Sequence, residues 1–198
     1  SDLDRLCSAG KVVWLRLQPA AGDKAQRRKN PAIKTTPIAF IPRPHLGHWR
    51  AYTPLPAMDT LALSAAAHKV YAVLKGWGAS FFEELLTETG LLKSQLEDAL
   101  GELTAHGLIS SDSFQGLRTL ITPRKLQRRR SRRYPMHDQL AAAGRWSLLR
   151  PLSPADDAGY SHAEHIARVL LRRYGVVFRK LLEREDGLPP WRALLYVY

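Results

Sequence analysis

The apolar positions that follow Ser64 recur at helical spacing. Ala67, Val70, Tyr71, Val73 and Leu74 fall on one face, which predicts a helix from about Ser64 to Lys75. Gly76-Trp77-Gly78 ends it, because glycine tolerates the left-handed conformation a C-cap needs. Ser80, with Glu83 three residues on, has the capping-box pattern and opens a second helix that closes at Thr89-Gly90. A third helix runs from about Leu92 to His106, with Leu92, Leu96, Leu100 and Leu103 on one stripe and Gly107 as its cap. Leu108-Ile109 and Leu117 to Ile121 then read as two strands around the turn-rich SSDSFQG. Three helices followed by a two-stranded hairpin predict a winged helix.

This pattern recurs along the chain. Ser64 and Ser161 each precede a glycine by fourteen positions (Gly78, Gly175), with an aromatic just before it (Trp77, Tyr174) and a phenylalanine three residues after it (Phe81, Phe178). A Leu-Leu pair and a Gly-Leu stop follow in both. Ser161 and Glu164 repeat the capping pattern at the start of the later copy. Leu3, Leu6 and Gly10 have the spacing of Leu100, Leu103 and Gly107, and β-prone residues follow each set. In the first copy Val12 to Leu17 and Thr36 to Ile41 would form a longer wing.

The expected fold class is therefore mainly α with small β-hairpins (α+β): tandem winged helices, the first and last partial. The expected division is a partial winged helix with a Pro-rich connector over 1–58, a complete copy over 59–123, a basic linker with the GRWSLL segment over 124–160, and a further partial copy over 161–198. The chain opens at Ser1 in what reads as a helix tail and stops at Tyr198 inside another helical pattern, as expected of a piece of a longer protein.

Charge then points to a partner. Lys and Arg number 30 against 18 Asp and Glu, a formal net charge of +12, which favours a polyanion such as DNA. The steepest feature is RKLQRRRSRR, which holds Arg124, Lys125, Arg128, Arg129, Arg130, Arg132 and Arg133 and no acid. Lys24, Arg27, Arg28, Lys29 and Lys34 crowd the loop of the first wing, where they are placed to touch phosphate. Arg145 and Arg192 complete the expected DNA-binding set; beside Arg192, Trp191 packs in the core or stacks on a base. Like charges also repel, so solvated loops are the competing reading of both runs. The third helix of the middle copy shows Glu97, Asp98 and Glu102 against Lys93, so it is not expected to enter a groove and should instead pack on a neighbouring domain or act as a spacer.

Other chemistry is sparse. No apolar run reaches the roughly 18 residues of a membrane span, so no membrane partner is expected. Cys7 stands alone, fits a reducing compartment and reads as core filler. His162, Glu164 and His165 do not form HExxH, and His45 and His48 lie in the Pro-rich connector, so no metal site is expected. No phosphate-binding G-x-x-x-x-G-K-[ST] loop and no G-x-S-x-G elbow occurs, and Asp156-Asp157 reads as a solvated pair. No catalytic residue and no cofactor is assigned to these 198 residues.

The strings GASFFEELLTETGLL, LISSDSFQGLRTL, GRWSLL and RRYGVVFRKLLERE, ending in PPWRALLYVY, resemble the C-terminal region of the bacterial large helicase-related (Lhr) proteins. The resemblance begins near Val13-Trp14 and covers most of the chain. It is similar in turn to AlkZ-type winged-helix DNA glycosylases. What it implies is a parent with an ATP- and Mg-dependent superfamily 2 helicase core, a tail of winged helices ending in a β-barrel, and a cytoplasmic, nucleoid-associated role in DNA repair. The core and the barrel would be its neighbours. The aspartate proposed for base excision in the family lies beyond YVY. Three functions follow as expectations: a non-catalytic segment that binds duplex, forked or single-stranded DNA; part of a uracil-type glycosylase; or a winged-helix regulator.

Overall fold

The computed structural model describes residues 2–17, 37–121, 144–149 and 159–198. The chain separates into two compact units, each assembled from two stretches. Unit one is Ser1–Arg43 with Pro56–Leu149, and unit two is Pro44–Leu55 with Arg150–Tyr198. Both are mainly helical, with small two-stranded antiparallel sheets in unit one.

In unit one, α1 (Asp2–Ser8) leads into β1 (Val12–Leu15), which pairs with β2 (Ala39–Pro42). In unit two, α2 (Leu46–Arg50) follows a 3-10 turn that ends at His45. The complete winged helix then begins in unit one. Its first helix, α3 (Ala65–Trp77), starts where the Ser64 hydroxyl accepts from the Ala67 N–H at 3.2 Å, and it buries Ala67, Val70 and Leu74 at three- and four-residue steps. Its second, α4 (Phe82–Thr89), starts one residue later than the capping pattern at Ser80 suggests. The Phe81 N–H donates to Glu84 at 2.7 Å, while Ser80 is buried and exchanges backbone hydrogen bonds with Trp146. The third, α5 (Lys93–Ala105), fully buries Leu96, Leu100 and Leu103, but Leu92 is the residue before its first turn and is 69% exposed.

The hairpin expected between 108–109 and 117–121 does not form. β3 (Ile109–Ser111) pairs instead with β4 (Trp146–Leu148), in the register Ile109↔Leu148, Ser110↔Ser147, Ser111↔Trp146. The stretch read as a strand is α6 (Phe114–Ile121). Leu117, Thr119 and Ile121 alternate as a strand would, but Phe114, Leu117 and Ile121 also satisfy a helical face. Helix wins because that face reaches the core: Leu117 is fully buried and the Phe114 ring meets Phe40 edge-on at 5.0 Å. The first wing does pair as expected, with Val12↔Pro42 through Leu15↔Ala39 and its second strand starting at Ala39.

The two wings share one core. Trp14 on β1 and Trp146 on β4 are both fully buried and meet edge to face, 6.3 Å between centroids at 86°. Trp14 Nε1 donates to the Ser113 carbonyl at 3.1 Å, and the Ser110 hydroxyl donates to the Trp14 carbonyl at 2.6 Å. Gly107, at φ +67°, lies so near the first copy that a Cβ there would stand 2.7 Å from the Arg16 carbonyl oxygen. Cys7 is buried in the same core, and its thiol is pushed up chiefly by that burial.

Unit two centres on α7 (Gly159–Tyr174), which starts ahead of the Ser161 capping pattern, so Ser161 sits within its first turn. Ala163, Ile166, Ala167 and Leu170 form its buried stripe. Against α7 pack α2 and α9 (Trp191–Val197), with α8 (Arg179–Leu182) between α7 and α9 in the chain. Tyr198 Oη donates to the Ala167 carbonyl at 3.0 Å. Glu185 accepts from Arg173 at 2.7 Å and from the Tyr174 hydroxyl, tying the end of α7 to the turn after α8.

Truncating Trp146 to alanine is expected to lower the unfolding free energy by about 3–5 kcal/mol in urea titrations, as loss of a buried aromatic does. Trp77→Ala, at a position 66% exposed, should stay within about 0.5 kcal/mol of wild type.

Candidate nucleic-acid interface

In a winged helix the third helix is the usual groove reader. In the complete copy that helix is α5, and burial removes most of its surface. Leu96, Glu97, Ala99, Leu100, Gly101, Leu103, Thr104 and Ala105 are all buried. Its acids do not form the outward face expected from the sequence. Glu97 is only 9% exposed, and Glu102 accepts from both the backbone N–H (2.8 Å) and the hydroxyl (2.6 Å) of Ser64 at the start of α3. The helix is thus committed to its own unit by packing, rather than kept from phosphate by repulsion. Lys93 lies over the Phe82 ring at 5.9 Å.

The expected DNA-binding residues divide by position. Lys24, Arg27, Arg28, Lys29, Lys34, Arg124, Lys125, Arg128, Arg129, Arg130, Arg132 and Arg133 lie outside the described residues. The strands that bracket them are described, however. The first group falls in sequence between β1 and β2 and the second between β3 and β4. The arginine-rich run thus follows α6 in sequence and precedes β4. Arg145 sits at the foot of β4, where its Nε donates to Asp112 at 3.0 Å in a half-exposed ion pair. Arg192 is exposed on α9, beside a half-buried Trp191 and near Tyr196, which is 80% exposed. In unit two, Arg172, Arg179, Lys180 and Arg184 are also exposed, whereas Arg168 pairs with Glu164 at 2.7 Å. No helix among the described residues is long and apolar enough to cross a membrane.

Unit two also gathers histidines that the sequence places far apart. One ring nitrogen from each of His45, His48 and His165 lies within 4.8 Å of the other two. His48 and His162 share an Nδ1–Nδ1 hydrogen bond of 2.9 Å. Burial, then the neighbouring His48 and His45, then Arg168 and Arg172, push His165 down to about 4. Burial, followed by His162 and His45, lowers His48 as well. The signal in the sequence was the paired spacing, His45-x-x-His48 and His162-x-x-His165; either pair alone carries no metal motif.

Helical triads with short antiparallel sheets define a winged-helix protein. Residues 155–198 match the family model of the large helicase-related protein, winged-helix domain. The chain is 27% identical, over 97% of its length, to the Lhr helicase/uracil glycosylase of Escherichia coli strain K12. It is 30% identical, over 65% of its length, to the "Lhr helicase/ probable uracil glycosylase" of Mycolicibacterium smegmatis. It spans 13% and 10% of those two relatives. Together these matches support placing the chain in the C-terminal region of the Lhr family, as a region of an Lhr-type helicase.

His106 closes α5, and its imidazole is lowered by burial against an opposing pull from Glu102. Below the ordinary value of 6.5 the unfolded chain takes up the proton first, so this group's contribution is present above 6.5 and is lost as the pH falls. Thermal melts from pH 7.5 to 4.5 should show His106→Gln losing less stability on acidification than wild type. Parallel curves would remove His106 from the acid response.

Proposed function

We propose that this chain is a non-catalytic DNA-binding region of an Lhr-type helicase, and that it holds the phosphate backbone with its wings and exposed basic faces rather than with the third helix of its complete winged helix. One observation carries the reading. Each two-stranded sheet brackets one of the two basic runs, Lys24 to Lys34 in the first and Arg124 to Arg133 in the second. Basic runs in stretches that join paired strands, apart from the residues that build the core, are suited to phosphate contact. The burial of α5 supports the same division of labour, because a helix enclosed on most sides has no face to lay in a groove. Unit two adds Arg192 and the exposed α9 surface as a second contact.

Binding of this kind reads charge and shape, not base sequence. Duplex, forked and single-stranded DNA are its targets. A sequence-specific regulator would need an exposed recognition helix, and α5 does not supply one. Unwinding and base excision belong to the whole protein, in keeping with the names of the two relatives. An ATP- and Mg-dependent motor and a β-barrel would be the neighbouring parts, in the cytoplasm beside the nucleoid. Base excision by this piece alone is the second reading, drawn from those names.

The test is fluorescence anisotropy on labelled DNA across a potassium chloride series. Wild type should bind all three DNA forms, with a log–log slope that loses about 0.9 for each duplex phosphate contact removed. Replacing Arg128, Arg129, Arg130, Arg132 and Arg133 with alanine should weaken binding at least tenfold at moderate salt and flatten the slope. Lys93→Ala on α5 should change affinity less than about twofold, as expected of a residue outside the contact. An unchanged slope in the arginine variant, or a large loss in Lys93→Ala, would overturn the assignment. Incubating the chain with uracil-containing duplex separates the second reading, since strand cleavage after alkali would show excision.

A further inference from the structure

Four of the seven histidines of the chain meet in unit two. They arrive as two pairs, each three residues apart: His45 and His48 around the start of α2, and His162 and His165 in the first half of α7. Residues three apart on a helix lie on one side of it, so each pair presents both rings in the same direction. α2 packs on α7, and the two pairs meet. The His48 and His165 rings stack at 4.3 Å and 17°, and His45 lies 4.4 Å from His165. His48 stands 5.0 Å from His162, with the Nδ1 atoms in hydrogen-bond contact.

We propose that His45, His48 and His165 form a binding site for a first-row divalent cation, zinc foremost, with His162 as the residue that orients His48. The donor set selects the ion. Imidazole nitrogen suits zinc, copper and nickel, whereas magnesium and calcium demand oxygen. Glu164, the carboxylate between the two histidines of α7, is held by Arg168 at 2.7 Å and leaves the set purely nitrogen. Zinc–nitrogen bonds of about 2.0–2.1 Å place tetrahedral ligand atoms about 3.3 Å apart. The nitrogens, already within 4.8 Å, close to that spacing when the stacked His48 and His165 rings turn to converge their in-plane lone pairs on the ion. A fourth position remains for water or an anion.

His162 supplies what ligating histidines commonly have, a partner on the second ring nitrogen. The Nδ1–Nδ1 contact engages that nitrogen of His48 and leaves Nε2 for the ion. For Nε2 of His48 to bind the ion, its Nδ1–H donates to Nδ1 of His162, which places the proton of His162 on its own Nε2. The ion would fasten the Pro44–Leu55 stretch to α7 inside one unit, a structural role independent of the proposed DNA binding.

The experiment uses the whole chain without a histidine tag. It is stripped with chelator, dialysed against zinc, passed through gel filtration, and assayed for metal by mass spectrometry. One zinc per chain is expected, and cobalt in its place should give the visible absorption of a four-coordinate ion at one equivalent. His48→Ala and His165→Ala should abolish both signals. His162→Ala should keep the one-to-one stoichiometry while weakening affinity about 10–100-fold, as loss of an orienting partner does. His68→Ala, exposed on α3 of unit one, should change nothing. Should a histidine variant fail to fold, the wild-type cobalt titration still decides. Absence of a saturable spectrum, or zinc retained undiminished by a folded His48→Ala/His165→Ala variant, would sink the site.

Discussion

The edge-to-face packing of Trp14 on Trp146 is the contact on which unit one depends. Neither ring is exposed, and the two come from different wings. β1 and β4 belong to different two-stranded sheets, so burying both indoles in one core joins the two sheets in one unit. The surrounding bonds follow from that choice. Ser110 and Ser113 serve the Trp14 backbone and indole, and Gly107 stays without a side chain because the Arg16 carbonyl occupies the space a Cβ would need. The short α1–β1–β2 stretch is held by the core it shares with α3, α4, α5, α6 and β4.

That arrangement fixes where charge can go. Side chains on α5 are taken up by packing and by the cap that Glu102 provides to α3, and β1 is buried on both faces. Cations placed in either element would lose hydration without finding phosphate. The two basic runs fall, in sequence, between β1 and β2 and between β3 and β4. The winged helix keeps its framework while its third helix is given over to packing.

Much of this was legible in the sequence. Helix starts and stops near Ser64, Gly78, Gly90 and Gly107 followed from capping chemistry, and the first wing followed from the run Val12 to Leu15. Errors clustered where two periods overlap or where a partner lies far along the chain. Residues 114–121 satisfy both alternation and a helical stripe, and only the tertiary contact with Phe40 decides between them. β4 is three residues long, and its partner β3 lies across a long basic stretch, so short-range hairpin signals could not find it. Glu97 read as surface because charged residues usually are, yet the packing of the unit encloses it. The histidine cluster was invisible for the same reason as β4: each pair is unremarkable until α2 is seen to lie on α7.

The path of the backbone between the units has a temporal consequence. His48 and His162 are 114 residues apart, although they touch. On a ribosome adding roughly 5–20 residues per second, α2 emerges several seconds before the helix it will rest on. Unit one ends at Leu149, so the order of translation lets it close first. The Pro44–Leu55 stretch must then wait for α7 and α9 to be made before its own unit can assemble.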